Sequence, residues 1–324
     1  MAHPLLKTDQ NGKLDLSKRN VTREDITLIQ KELTKDVRIL NLNGAKISGL
    51  DLHLMGKKLI ISTIKKLRMS SVQIYGGQVS MIRSYLPKTL THLTLDNNRI
   101  NDFYLSTLAE YLTKVEHLSL RRNMLGQHGA RMLANMIKQR DGKKRCCLKS
   151  LNLDGNRIGD DGALPLIEEM KWNTTLIKLD LSGNQLTDRT ATKVADLLEV
   201  NQSVIKLLLS RNSITNQGIE YLSQSLKVNF GLRSLTLLRN NSIGLPGIKS
   251  VTEMLKINYT LMSIRITNGK QIPEIRQLLK PEEWRKRRNR RETLQQKCAR
   301  IIRSKKMDPV AIPGMIREQH LLRF

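Results

Sequence analysis

The sequence predicts an α/β solenoid. It should form a horseshoe with a parallel β-sheet on its concave face, α-helices on its convex face, and a basic C-terminal helical arm. Three observations carry this. The pattern "LIKLDLSGNQL", starting at Leu176, returns along most of the 324-residue chain. The returns are close to periodic. Between them lie stretches with apolar residues at helical spacing.

The strand comes first. Clear copies start at Leu90, Val115, Leu148, Val204 and Leu232, with weaker ones at Val37 and Ile64. A degenerate copy around Leu14 opens the series and one at Leu261 closes it. The third apolar position falls on Leu16, Leu42, Met69, Leu95, Leu120, Leu153, Leu181, Leu209, Leu237 and Ile266, in steps of 26, 27, 26, 25, 33, 28, 28, 28 and 29 residues. Such a period marks stacked supersecondary units. In each copy the "LxL" core forms a short strand with both leucines inward and its other residues facing out. Leu153, Leu181 and Leu209 should therefore be fully buried.

The helix follows. In "DRTATKVADLLEVNQS", Ala191, Val194, Ala195 and Leu198 share one helical face. One strand and one helix cannot bury their apolar sides alone, so successive units must stack. Asn98, Asn123, Asn156, Asn184, Asn212 and Asn240 stand where each strand ends. There a side-chain amide can satisfy backbone groups that have no ladder partner.

Residues 1–36 read as an N-terminal cap. Thr22 and Asp25 have the spacing of a capping-box variant, and Ile26, Ile29 and Leu33 form an apolar stripe. Residues 37–272 are expected to form the solenoid, and residues 273–281 a C-terminal cap fed by Ile272, Ile275, Leu278 and Leu279. Residues 282–324 read as a basic helical arm and an irregular tail. Like charges should hold that arm away from a solenoid that is itself basic.

The run "LDGNRIGDDGALPLIEEMKWNTTLIKLDLSGNQLTD" and its neighbours resemble the ribonuclease-inhibitor-like class of leucine-rich repeats, with units of about 28–29 residues. The resemblance covers roughly residues 37–272. It implies the horseshoe and full convex helices, but no single partner, since members range from ribonuclease inhibitor to tropomodulin caps and axonemal proteins. Ribonuclease inhibitor is cysteine-rich and acidic, whereas this chain has three cysteines and the opposite charge. Nor does the chain contain the "GxxxxGK[ST]" loop that a nucleotide-binding immune receptor needs. Basic cytoskeletal, ciliary or ribonucleoprotein scaffolds remain.

Composition narrows the partner. The chain carries 56 Lys and Arg against 29 Asp and Glu, a net charge of +27. Residues 281–324 hold 13 basic and 5 acidic residues, a net of +8, which leaves +19 for the rest. A field so widely spread favours acidic partners. Cys146, Cys147 and Cys298 make no disulfide framework and have no metal-ligand spacing. No signal-like apolar core opens the chain, and no run of about 18 apolar residues occurs. An intracellular, cytoplasmic or cytoskeletal setting is expected, with the nucleus open.

On the inner sheet, His92 and His117 occupy equivalent places on neighbouring strands, roughly 5 Å apart, near Asp96 and Ser119. An open sheet excludes no water and offers no oxyanion donors, so no catalytic site, cofactor or metal is expected. Partner contacts are expected instead. Lys178, Lys206, Leu208 and Leu238, flanked by Arg211 and Arg239, form a mixed apolar and basic patch. The insertion "KQRDGKKRCC" presents Lys143, Lys144 and Arg145, and the arm presents Trp284, Arg285, Arg287, Arg288, Arg290 and Arg291. The expected function is a non-enzymatic protein-interaction scaffold within an assembly with acidic surfaces, such as a cytoskeletal polymer. RNA is the alternative, although the inner sheet offers no stacking aromatic. Calmodulin is not expected: Gln296, Arg300 and Lys305 fit its IQ motif, but Gln295 replaces the leading aliphatic residue.

Overall fold

A computed structural model describes residues 8–33, 36–74, 77–138, 146–240, 242–266, 272–290 and 292. Strand and helix alternate from the start. The N-terminal half runs β1 (Lys13–Asp15), α1 (Arg23–Glu32), β2 (Ile39–Asn41), α2 (Gly49–Leu59), β3 (Lys66–Arg68), α3 (Gly77–Arg83), β4 (His92–Thr94) and α4 (Asp102–Leu108). A 3-10 turn at Ala109–Lys114 leads into β5 (His117–Ser119) and α5 (Gln127–Ile137). The C-terminal half runs β6 (Ser150–Asn152), α6 (Gly159–Met170), β7 (Lys178–Asp180), α7 (Asp188–Val200), β8 (Lys206–Leu208) and α8 (Asn216–Leu226). It closes with β9 (Ser234–Thr236), α9 (Leu245–Leu255), β10 (Ser263–Arg265) and α10 (Pro273–Leu278).

The described strands form one ten-stranded sheet in sequence order, every pair parallel. Leu151 stands beside Leu179, Leu179 beside Leu207 and Leu207 beside Leu235, so the centres of the strands stack into one aliphatic row. Leu153, Leu181 and Leu209 form a second row behind it and are fully buried. Short strands suffice because each central leucine is clasped from both sides by an identical neighbour. The helices close the other side: Ala191, Val194 and Leu198 of α7 all face the core.

Two devices turn the chain at the strand ends. One is conformational. Lys18, Gly44, Ser71, Asn97, Arg122, Gly155, Gly183, Arg211 and Arg239 occupy one repeat position and all have φ between 51° and 69°. That twist aims each N–H at the next repeat: Arg122 donates to the Asp154 carbonyl at 2.7 Å, and Gly183 to that of Ser210 at 2.8 Å. Glycine takes this conformation freely, whereas other residues are strained in it. The second device is the asparagine row read from the sequence. Asn184 Nδ2 donates to the Leu153 carbonyl at 2.9 Å, and Asn212 Nδ2 to that of Leu181 at 3.1 Å.

A second asparagine row stands at the opposite edge, where helices return to strands. Asn201 Nδ2 donates to the carbonyls of Met170 at 2.8 Å and Asn173 at 2.9 Å. Asn229 and Asn258 repeat this one and two units on. Sequence reading did not single these out, although Asn173, Asn201, Asn229 and Asn258 recur in steps of 28, 28 and 29 residues.

At the N-terminal end the Thr22 hydroxyl accepts from Asp25 N while the Asp25 carboxylate accepts from Thr22 N, completing a capping box. At the other end Ile275 of α10 is buried in the core, with Ile272, Leu278 and Leu279 against it. Residues 281–290 continue as helix. One expectation fails here. Arg287 does not stand off in solvent but is only 8% exposed, with Nη2 donating to the Leu278 carbonyl at 2.6 Å. The last carbonyls of α10 lack helical donors, and one guanidinium from the next helix supplies one despite the like-charged surroundings. Burial pushes its pKa down, with Glu283 acting the other way. No helix among the described residues is long and apolar enough to cross a membrane.

Candidate functional site

The concave face is a lattice of outward side chains fixed by strand register. His92 and His117 stand opposite each other on β4 and β5, their rings stacked with centroids 4.2 Å apart and planes 24° from parallel. Burial lowers the pKa of both. For His92, His117 and Lys66 push the same way. Burial thus favours the neutral form of both rings, with Glu116 acting the other way. Asp96 is bound up in structure: its Oδ1 accepts the Ser119 hydroxyl at 2.5 Å and the Arg121 N–H at 3.0 Å. Among the described residues no three histidine, cysteine or carboxylate groups converge as metal ligands would.

The floor deepens on the next strands. Asp154, just beyond β6, is held by Arg121 Nε at 2.6 Å and by Arg211 Nη2 on its other oxygen. Arg211 lies 57 residues away in sequence and reaches across β7. Gly183, at the turn between these strands, has φ of 62°, and a Cβ there would stand in ordinary contact with Gly155 and with Asp154 Oδ1. Beside this clasp, Asp180 at the end of β7 has a raised pKa. Burial is the main cause and the Asp154 carboxylate adds to it, while hydrogen bonds from Ser182 and the charge of Lys178 oppose it.

The predicted patch lies just beyond. Leu208 and Leu238 are half-buried on the face, Lys178 is half-buried, and Lys206 and Arg239 are exposed. No ion pair holds Lys178, Lys206 or Arg239 among the described residues. Arg211 differs: its guanidinium is committed to Asp154, so it belongs to the floor rather than the rim.

Helix 281–290 presents Arg285, Arg288 and Arg290 to solvent and keeps Trp284 half-buried. The Trp284 Nε1 and the Nε and Nη1 of Arg287 are buried without hydrogen-bond partners. Arg288 lies over the Trp284 ring at 6.0 Å from its centroid. Its pKa is raised, chiefly by the hydrogen bond to Glu292. Lys143, Lys144, Arg145 and Arg291 lie outside the described residues. Lys138, the first residue of the insertion, pairs with Glu169 at 2.6 Å.

Sequence reading missed an apolar edge. Trp172, Val200, Val228 and Ile257 are 46–71% exposed, and each directly precedes a buried asparagine of the second row. Ile177, Ile205 and Met262 are 38–58% exposed just before β7, β8 and β10. The signal was present as apolar residues at a fixed offset outside the "LxL" core.

A ladder of parallel strands with convex helices, locked by two asparagine rows, defines a solenoid of strand–helix repeats. The sequence matches the family described as Leucine Rich repeat over residues 144–166 and 173–195, the stretch spanning β6, α6, β7 and the start of α7. The chain folds as a leucine-rich repeat solenoid. No curated protein matches it in sequence. Among solved structures it is similar to leiomodin-1 actin-binding site 2, with 21% identity over 47% of this chain and 89% of that one and a TM-score of 0.40. It is also similar to the C-terminal domain of tropomodulin from Caenorhabditis elegans, with 19% identity, 52% and 97% coverage and a TM-score of 0.41. Neither likeness says what this chain binds.

Proposed function

We propose that this chain is a non-enzymatic protein-interaction scaffold, built into a larger assembly of cytoskeletal or ciliary type through the acidic surface of a partner. The observation that carries the reading is the concave patch: Leu208 and Leu238 stand partly exposed among Lys178, Lys206 and Arg239, cations with no ion pair among the described residues. Apolar area supplies affinity once water is displaced, and the cations select carboxylates and steer their approach. The rigid ladder beneath presents both without an ordering cost.

The net charge of +27 and the exposed Arg285, Arg288 and Arg290 support RNA as the second reading. Single-strand binders stack bases on aromatic rings, and the described strands carry no Phe, Tyr or Trp, so the protein reading is preferred. Binding of the full chain to poly-glutamate and to poly-uridylate, each measured across a salt series, separates the two. Leu208→Asp should weaken the acidic protein ligand at least tenfold and leave poly-uridylate unchanged. Equal poly-glutamate binding by the wild type and Leu208→Asp would remove the patch from the function.

A further inference from the structure

The exposed edge has a regularity that folding does not require. Trp172, Val200, Val228 and Ile257 occupy one position in four successive repeats, and the residue after each is a fully or nearly fully buried asparagine. The asparagines hold the turn backbones: Asn229 Nδ2 bonds the carbonyls of Leu198 at 2.8 Å and Asn201 at 2.9 Å. The apolar side chains therefore project from a fixed frame. Phe230 and Tyr259, two residues beyond Val228 and Ile257, stack at 5.3 Å and 24° and extend the apolar line. A loop residue left this exposed adds little to stability, so large apolar groups repeated there mark a contact surface.

Charge says what kind of contact. On the concave side, Ile177 and Ile205 are followed by Lys178 and Lys206, which pair in register on β7 and β8. On the convex side, the residues before the four ridge positions are Lys171, Glu199, Lys227 and Lys256; Lys171 pairs with Glu168 and Lys256 with Glu253, which leaves Lys227 without an ion pair among the described residues. The apolar line is thus bordered by cations on both sides, Lys178 and Lys206 on one and Lys227 on the other.

We propose that this ridge docks an acidic amphipathic segment of a partner protein. Its apolar side chains cover Trp172, Val200, Val228 and Ile257, and its carboxylates face Lys178 and Lys206 on one border and Lys227 on the other. An amphipathic helix seats its apolar face in this way on a hydrophobic surface. The proposal rests on the reading of the chain as a protein-binding scaffold, but places a contact on a different face from the concave patch.

Trp172 is the reporter. The chain has two tryptophans, so full-length Trp284→Phe, checked for native circular dichroism, leaves Trp172 alone. A synthetic 18-residue helix with leucine on one face and glutamate on the other is titrated against it. The expected result is a saturable blue shift of Trp172 emission. Val200→Asp with Val228→Asp should abolish it, and Lys178→Glu with Lys206→Glu should weaken it at least tenfold. A glutamine-for-glutamate peptide should bind at least tenfold more weakly than the parent. The proposal is overturned by no shift, or by a shift that survives the two valine substitutions. It is also overturned if phosphatidylserine vesicles shift Trp172 while the peptide does not, or if sedimentation shows the ridge occupied by a second copy of the chain. Peptide binding that resists the valine substitutions but is lost in Leu208→Asp would sink the ridge and leave the scaffold reading standing.

Discussion

At the residue scale, asparagine does more than its exposure suggests. Asn229 is fully buried, donates to two carbonyls and accepts the Leu232 N–H at 2.9 Å. Replacing it with alanine strands three buried backbone groups, and each loss costs about 1–3 kcal/mol unless water enters. Asn229→Ala should therefore cost about 2–5 kcal/mol in urea unfolding, as much as a large core truncation. A cost below about 1 kcal/mol would mean that water replaces the amide. The concave-edge asparagines were legible because they sit inside the repeated pattern. The second row was harder to see because it stands among turn residues that no apolar code marks. The clasp on Asp154 could not be read at all: Arg211 lies two repeats away and crosses β7 to reach it.

At the element scale, helices were legible where apolar spacing was strong, as in α7, and the sheet followed from the register of the leucines. Charge misled at the C-terminal end. Repulsion was expected to hold everything past Pro281 away, but the unfilled carbonyls at the end of α10 draw in Arg287. Two truncations test this. A chain ending after residue 292 keeps Arg287 and Trp284, whereas one ending after Lys280 loses both. The shorter chain should be less stable by about 1–3 kcal/mol in denaturant unfolding, because an uncapped helix end and the edge of the last repeat become exposed. Equal stability of the two would show that helix 281–290 contributes nothing to the cap.

At the scale of the whole molecule, a repeat stack is stable only as its neighbours are, so local differences in helix length should appear as gradients of stability. The repeats around β3 and β4 are built more thinly. The helices α3 and α4 are 7 residues each, and α4 gives way to a 3-10 turn, whose hydrogen bonds are poorer. From α5 to α9 the helices run 11–13 residues. The most regular 28-residue steps also lie there, around Leu153, Leu181, Leu209 and Leu237, so each layer meets a neighbour of matching shape. Hydrogen exchange read by mass spectrometry should find slowest exchange in β7, α7 and β8. Exchange should be markedly faster through β3, α3, β4 and α4, with protection falling between those two zones rather than only at the chain ends. Both proposed contact surfaces, the concave patch at Leu208 and the ridge from Trp172 to Ile257, lie in the half expected to be rigid. A binding face there is held in place before a partner arrives. Uniform protection from β1 to β10 would show instead that the stack opens as one unit and that helix length does not set its local stability.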